Sequence, residues 1–172
     1  LITATALESG KWYPVAGLSV DVKARAIITG DGTAALTETD AAQSAGGTLT
    51  VRDPDSGESL FAAQTATAGS HGYGTFSIDA AGGWTYTMNT AHDEFASGQD
   101  YTDSVTVFSV DGTTSRVISV IITGTNDAPT INDIPDQVIA EDSTTGDIPF
   151  TVGDIETDAA ALTVTATSSN QS

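Results

Sequence analysis

Apolar and polar residues alternate with a period of two along most of this chain, which leaves little room for any architecture not built from strands. Leu18, Val20 and Val22 alternate with Ser19, Asp21 and Lys23, and Thr48-Leu49-Thr50-Val51 repeats the pattern. Residues two apart share one face of a pleated strand, so each run presents one apolar and one polar side. Residues 74–79 and 84–88 place Phe76, Ile78, Trp84, Tyr86 and Met88 on such faces, and Gly82-Gly83 supply the glycines of a short hairpin loop. Residues 104–110 and 115–123 flank Asp111-Gly112, a dipeptide that tolerates the positive φ of a tight turn. Thr, Val and Ile dominate these runs, and β-branched side chains suit a pleated surface better than a helix. Strands spaced by about 8–12 residues with turn signals between them predict an all-β fold, a β-sandwich of about 100 residues. Only residues 91–97 read as helical, with Thr90 as N-cap, Asp93 and Glu94 in the first turn and Gly98 at the end.

Gly124-Thr125-Asn126-Asp127-Ala128-Pro129 interrupts the strand pattern. Proline removes a backbone donor and pushes the preceding residue to extended geometry, so these residues read as a rigid linker. The expected division is a strand-like segment over 1–25, a sandwich over 26–127, and an incomplete second β module over 128–172 with strand-like runs at 131–140, 148–152 and 161–167. Three strands of a two-sheet fold leave open edges. That last segment is expected to be mobile, cut from a longer domain, or completed by another chain. Residues 1–25 lack a basic region followed by an apolar stretch, which favours a fragment of a longer chain or one already processed.

Charge narrows the functions. Of 172 residues, 23 are Asp or Glu and 5 are Lys or Arg, a formal charge of −18. Such a surface repels the phosphate backbone, so nucleic-acid partners are excluded, as are anionic membrane surfaces. The longest uncharged apolar run, 117–122, is far short of the roughly 20 residues that span a bilayer, so no membrane insertion is expected. There is no cysteine, hence no disulfide and no thiolate metal site, and His71 and His92 are too few for an ordinary zinc centre. Disorder is countered by 39% hydrophobic residues and a mean hydropathy of −0.02. What remains is hard-cation chemistry on oxygen ligands.

The acids gather at the ends of strand-like runs: Glu38-Thr39-Asp40, residues 53–58, Asn126-Asp127, Glu141-Asp142, and Asp154-Ile155-Glu156-Thr157-Asp158. Calcium takes six to eight oxygens from carboxylates, amides and backbone, and acid pairs in turns are its ligand vocabulary. The competing reading is that Asp, Asn and Gly are turn formers that bond their own backbone. Five clusters with few basic residues to neutralise them favour external cations. Enzyme patterns are weak. Gly69-Ser70-His71-Gly72 is not G-x-S-x-G, His92-Asp93-Glu94 is not H-E-x-x-H, and a two-carboxylate glycosidase needs an aromatic cleft that 6% aromatic content does not supply. The chain is therefore not expected to be an enzyme. Trp84 and Tyr86 point the same way and read as core, with a sugar-stacking platform as the alternative.

Several motifs occur in order. Thr29-Gly30-Asp31, Leu36-Thr37-Glu38-Thr39-Asp40 and Gly47-Thr48-Leu49-Thr50-Val51-Arg52-Asp53-Pro54-Asp55-Ser56-Gly57-Glu58 closely resemble the opening of a VCBS repeat. Residues 73–79 with 83–87 resemble its central hairpin, 96–103 its short helical turn, and 117–129 its terminal strand and linker, so the resemblance covers roughly 26–129. The portion after Pro129 resembles the start of a second, cadherin-like bacterial repeat. The linker is shorter than a D-x-N-D-N-A-P form, and no G-G-x-G-x-D array is present.

The resemblance implies an immunoglobulin/cadherin-like β-sandwich, used in tandem as an extender module of very large secreted bacterial proteins, adhesins and RTX-type exoproteins among them. It implies Ca²⁺ as the bound ion. By similarity to cadherin-like arrays, Asn126, Asp127, Glu141, Asp154, Glu156 and Asp158 are the expected ligands at the downstream junction, with Glu38, Asp53 and Asp55 the equivalent set upstream. The expected location is extracellular or the bacterial cell surface, in adhesion or biofilm attachment. Expected partners are neighbouring repeats of the same chain, identical subunits, surface glycans or other cells. Two alternatives stand beside it. One is a self-assembling subunit of an extracellular filament or matrix, joined by β-strand complementation, with 1–25 as a strand donor. The other is a carbohydrate-binding module using Trp12, Tyr13 or Trp84.

Overall fold

The computed structural model describes residues 23–168 and, for backbone alone, Thr5–Glu8 and Lys11–Pro14. The latter two are β1 and β2, an antiparallel pair. The expected strand at Leu18, Val20 and Val22 lies outside the described residues, as do the side chains of Trp12 and Tyr13.

Eight strands follow: β3 (Ile27–Gly30), β4 (Thr33–Thr37), β5 (Ser44–Arg52), β6 (Gln64–Ala68), β7 (Gly74–Ile78), β8 (Gly83–Met88), β9 (Asp100–Phe108) and β10 (Ser115–Thr123). They form a five-stranded sheet in the order β3-β5-β8-β7-β6 and a three-stranded sheet in the order β4-β10-β9. All pairings are antiparallel except β4 with β10, which run parallel. The fold is the all-β sandwich expected.

Alternation does the packing. Trp84, Tyr86 and Met88 on β8 turn inward with Phe76 and Ile78 on β7 and Leu49 and Val51 on β5, against Val107 on β9 and Ile118, Val120 and Ile122 on β10. Each such side chain taken from water contributes roughly 1.5–3 kcal/mol of gross stabilisation. Trp84 is buried, and its indole N–H donates to the Asp31 carbonyl at 2.9 Å. That removes it as a sugar platform: inward pointing on a central strand puts it between the sheets. The hairpins hold where the glycines predict them. Gly82 has φ +97°, and a Cβ there would lie 2.1 Å from the Leu49 carbonyl oxygen, so the β7–β8 turn demands glycine. At Asp111-Gly112 only the glycine takes a positive φ, within a loop closed by Ser109 N–H to Thr114 O at 2.9 Å.

Two expectations fail. Residues 91–97 form turns with no helix, because His92 adopts φ +64° and a left-handed residue ends helical propagation. Beyond Pro129, regular structure among the described residues is confined to β11 (Thr130–Ile131) and β12 (Val152–Gly153), paired with each other, and a 3₁₀ turn at Ala159–Ala161. The predicted runs at 131–140, 148–152 and 161–167 otherwise carry the right residues without a sheet to join, and Val138 is 98% exposed. Strand propensity is fulfilled only where a neighbour pairs and a face is buried.

Candidate metal centre

The parallel pairing of β4 with β10 sets Thr37 beside Thr123, so both strands end at one pole of the sandwich. Glu38 follows immediately, its N–H donating to the Thr123 carbonyl at 2.9 Å. Its side chain is 1% exposed. One carboxylate oxygen, Oε2, accepts the Thr125 N–H at 3.0 Å and the Thr125 hydroxyl at 2.7 Å. The other, Oε1, is shielded from solvent and accepts no hydrogen bond.

Two further carboxylates approach the same point. Glu38, Asp93 and Asp127 each offer an oxygen, all within 4.8 Å of one another. Two oxygens on one calcium ion, each about 2.3–2.6 Å from it, are at most about 5 Å apart, so the spacing fits. Asp93 comes from the turn between β8 and β9, and Asp127 from the linker after β10. Turn and linker are locked together: Gly98 N–H donates to Gly124 O, and Gly124 N–H to Gln99 O, both at 2.9 Å. A Cβ on Gly124 would fall 2.4 Å from the Ala96 carbonyl oxygen, so this close approach requires glycine.

A fourth acid comes from beyond the linker. Glu156 accepts the Asp127 N–H through Oε2 at 2.8 Å, and its Oε1 is shielded and unbonded. Asp93 Oδ1 and Asp127 Oδ2 are likewise shielded without a donor. Among the described residues no lysine or arginine pairs with any of the four. Desolvation, then repulsion from Glu38, Asp93, Glu156 and Asp40, pushes the Asp127 carboxyl above the ordinary Asp range. Buried polar atoms in native proteins find partners, and here each of the four acids keeps one shielded oxygen without a donor.

Other expected ligands are placed differently. Asp154 lines the open cavity beside Asp40, Asp93 and Asp127, and its Oδ1 accepts the Glu156 and Thr157 N–H groups, folding the turn that presents Glu156. Asn126 is exposed and its amide bonds the Asp127 carbonyl oxygen. Glu141 is exposed and outside the cluster. Asp158 is exposed and caps the 3₁₀ turn by accepting the Ala160 N–H at 2.8 Å.

The upstream grouping is corrected. Glu38 does not join Asp53 and Asp55, because β5 between them runs nine residues, about 30 Å, back across the sandwich. Asp53, Asp55 and Glu58 cluster at the opposite pole. There the chain supplies several of the partners itself: Lys23 Nζ lies 3.1 Å from Glu58, Ala24 N–H donates to Asp55, and Asp55 N–H donates to Asp53, while Asp53 Oδ2 is shielded without a donor.

Sequence reasoning passed over Asp93 and Asp103. An Asp-Glu pair in a loop just ahead of a strand was the available signal for Asp93. Asp103 on β9 is fully buried and accepts from His71 N–H at 2.9 Å, Gly74 N–H at 3.1 Å, Ser104 N–H at 3.1 Å and the Tyr86 hydroxyl at 3.2 Å. It bonds the His71 backbone, while the ring Nδ1 lies 3.2 Å from the Ser70 hydroxyl. This is a structural peg, not a relay that would activate Ser70. No family model matches the chain, and no match is found among the curated proteins.

Proposed function

We propose that this chain is a non-enzymatic, calcium-stabilised extender module of a secreted bacterial surface adhesin. The observation that carries the reading is the buried Glu38 carboxylate, which keeps one oxygen without a hydrogen bond and lies in one cluster with Asp93 and Asp127. Glu38 and Asp93 belong to the sandwich, and Asp127 and Glu156 to the linker and the segment after it. A divalent cation there neutralises the mutual repulsion and ties the two together. The poles support the same reading: Ala24, where the chain comes in, bonds Asp55 at one end, and Asp127, where it leaves, lies at the other. A sandwich threaded end to end lengthens a tandem array by its own long dimension. The resemblance to VCBS and cadherin-like repeats points the same way.

The mechanism is mechanical. Extracellular calcium modules bind in the range of about 0.1–1 mM, so the junction stiffens where calcium is plentiful. Binding to the folded state alone raises stability by mass action. The test is thermal unfolding in chelator and across a calcium titration, with magnesium as control. A calcium-specific rise in Tm is expected, and identical Tm with calcium and chelator would sink the proposal.

A second reading rests on a separate observation. Ile131, Ile134, Val138, Ile139, Phe150, Ile155 and Val164 after the linker are all exposed. A strand from another copy laid along this segment would cover them, making a filament subunit by strand complementation. Sedimentation at high concentration discriminates: a monomer counts against it.

A further inference from the structure

Asp93 is held close to Glu38 and Asp127 although all three carry the same charge, and something must keep its turn from swinging it into water. The residue before it does so. His92 has φ +64°, a left-handed conformation that His tolerates better than most side chains. Its ring is 8% exposed, stacked on Phe95 with centroids 4.7 Å apart and planes at 7°, and set edge-on to Tyr73 at 5.4 Å. Nε2 lies 2.9 Å from the Tyr73 carbonyl oxygen and Nδ1 2.7 Å from Glu94 Oε1. Both ring nitrogens thus lie within hydrogen-bond reach of oxygens on flanking residues, which fixes the ring between them.

The Tyr73 carbonyl is a firm anchor. It also accepts the Asn89 N–H at 3.0 Å, and the next residue, Gly74, donates to buried Asp103. Phe95 N–H closes the turn onto the His92 carbonyl at 2.9 Å. The reversal at His92 sends its ring inward to this anchor and turns Asp93 to the acid cluster.

We propose that His92 is a positioning residue for the cation site: its ring clamps the β8–β9 turn so that Asp93 is pre-set as a ligand. Preorganisation lowers the cost of binding because the ligand is already in place. The inference rests on the calcium reading above.

The test is calcium affinity at neutral pH, measured by competition with a chromophoric chelator on folded protein, with near-UV circular dichroism confirming the fold. His92→Gly keeps the positive φ and deletes the clamp, and it is expected to weaken calcium binding at least about tenfold, as loss of a supporting group does at metal sites. His92→Asn also accepts the left-handed conformation but is too short to reach Tyr73, and it replaces the glycine variant if that one does not fold. His92→Gln restores a donor at similar reach and is expected to recover part of the affinity. Ile118→Val, buried in the core away from the turn, lowers Tm and leaves affinity unchanged. Wild-type affinity in the glycine or asparagine variant overturns the role of His92 alone. A wild-type protein that binds no calcium overturns the site and this inference together.

Discussion

Glu38 meets Asp127 because β4 and β10 run parallel and end side by side, Thr37 against Thr123. An antiparallel neighbour would have carried Glu38 to the far pole. The site therefore depends on the one parallel pairing in the sandwich. Glu38→Gln keeps the shape and the capacity to meet Thr125 while removing one charge. It is expected to weaken calcium binding at least about tenfold by isothermal titration. In chelator the variant should be at least as stable as the wild type, since a buried charge without a counterion has been removed.

The link beyond the sandwich is Glu156, which bonds the Asp127 backbone. Calcium is expected to slow amide hydrogen exchange across residues 152–157 in the wild-type protein. Glu156→Gln should abolish that protection while leaving exchange in the β8 and β10 core unchanged. Equal protection in both proteins would place the cation's effect elsewhere.

The Tyr86 hydroxyl donates to Asp103 in a fully buried setting. Burial, then the Asp103 charge, raises the Tyr86 hydroxyl well above its ordinary range, so it stays a donor throughout working pH. Tyr86→Phe removes one of several donors and is expected to cost about 1–3 kcal/mol in urea unfolding. Calcium affinity should not change, because neither residue belongs to the acid cluster.

The Asp127 carboxyl titrates above the ordinary Asp range in the folded chain without cation. A folded-state pKa raised over the unfolded one means that the folded state binds the proton more readily, so stability is lost as pH rises through the folded value. In chelator, Asp127→Asn should therefore be more stable than wild type at neutral pH. The gap should close as pH falls into the ordinary carboxylate range. Thermal melts of both proteins from pH 7 downward measure it.

Much of this molecule was legible in its residues. Thr, Val and Ile at alternate positions, with Gly82 and Gly112 at the turns, dictate hairpins through local chemistry alone, and those strands lie where the pattern puts them. The failures lie where distant partners decide. Residues 131–140 have the same alternation without a sheet to receive it. Thr90 through Ser97 has a helix's capping chemistry, but the His92 ring gains more from Tyr73 and Phe95 than a short helix offers. Asp127 and Glu156 drew notice through motif similarity and are in contact through the Asp127 N–H, whereas the approach of Glu38 to Asp93 and Asp127 needed the β4–β10 pairing, which no local pattern encodes.

The most direct test compares the Tm of wild type and Asp127→Asn at neutral pH, each in chelator and in millimolar calcium, the concentration scale of extracellular sites. The account predicts a crossing: the variant melts higher in chelator, where repulsion has been relieved, and lower in calcium, where a ligand has been lost. The same order in both conditions would contradict a cation site at this pole.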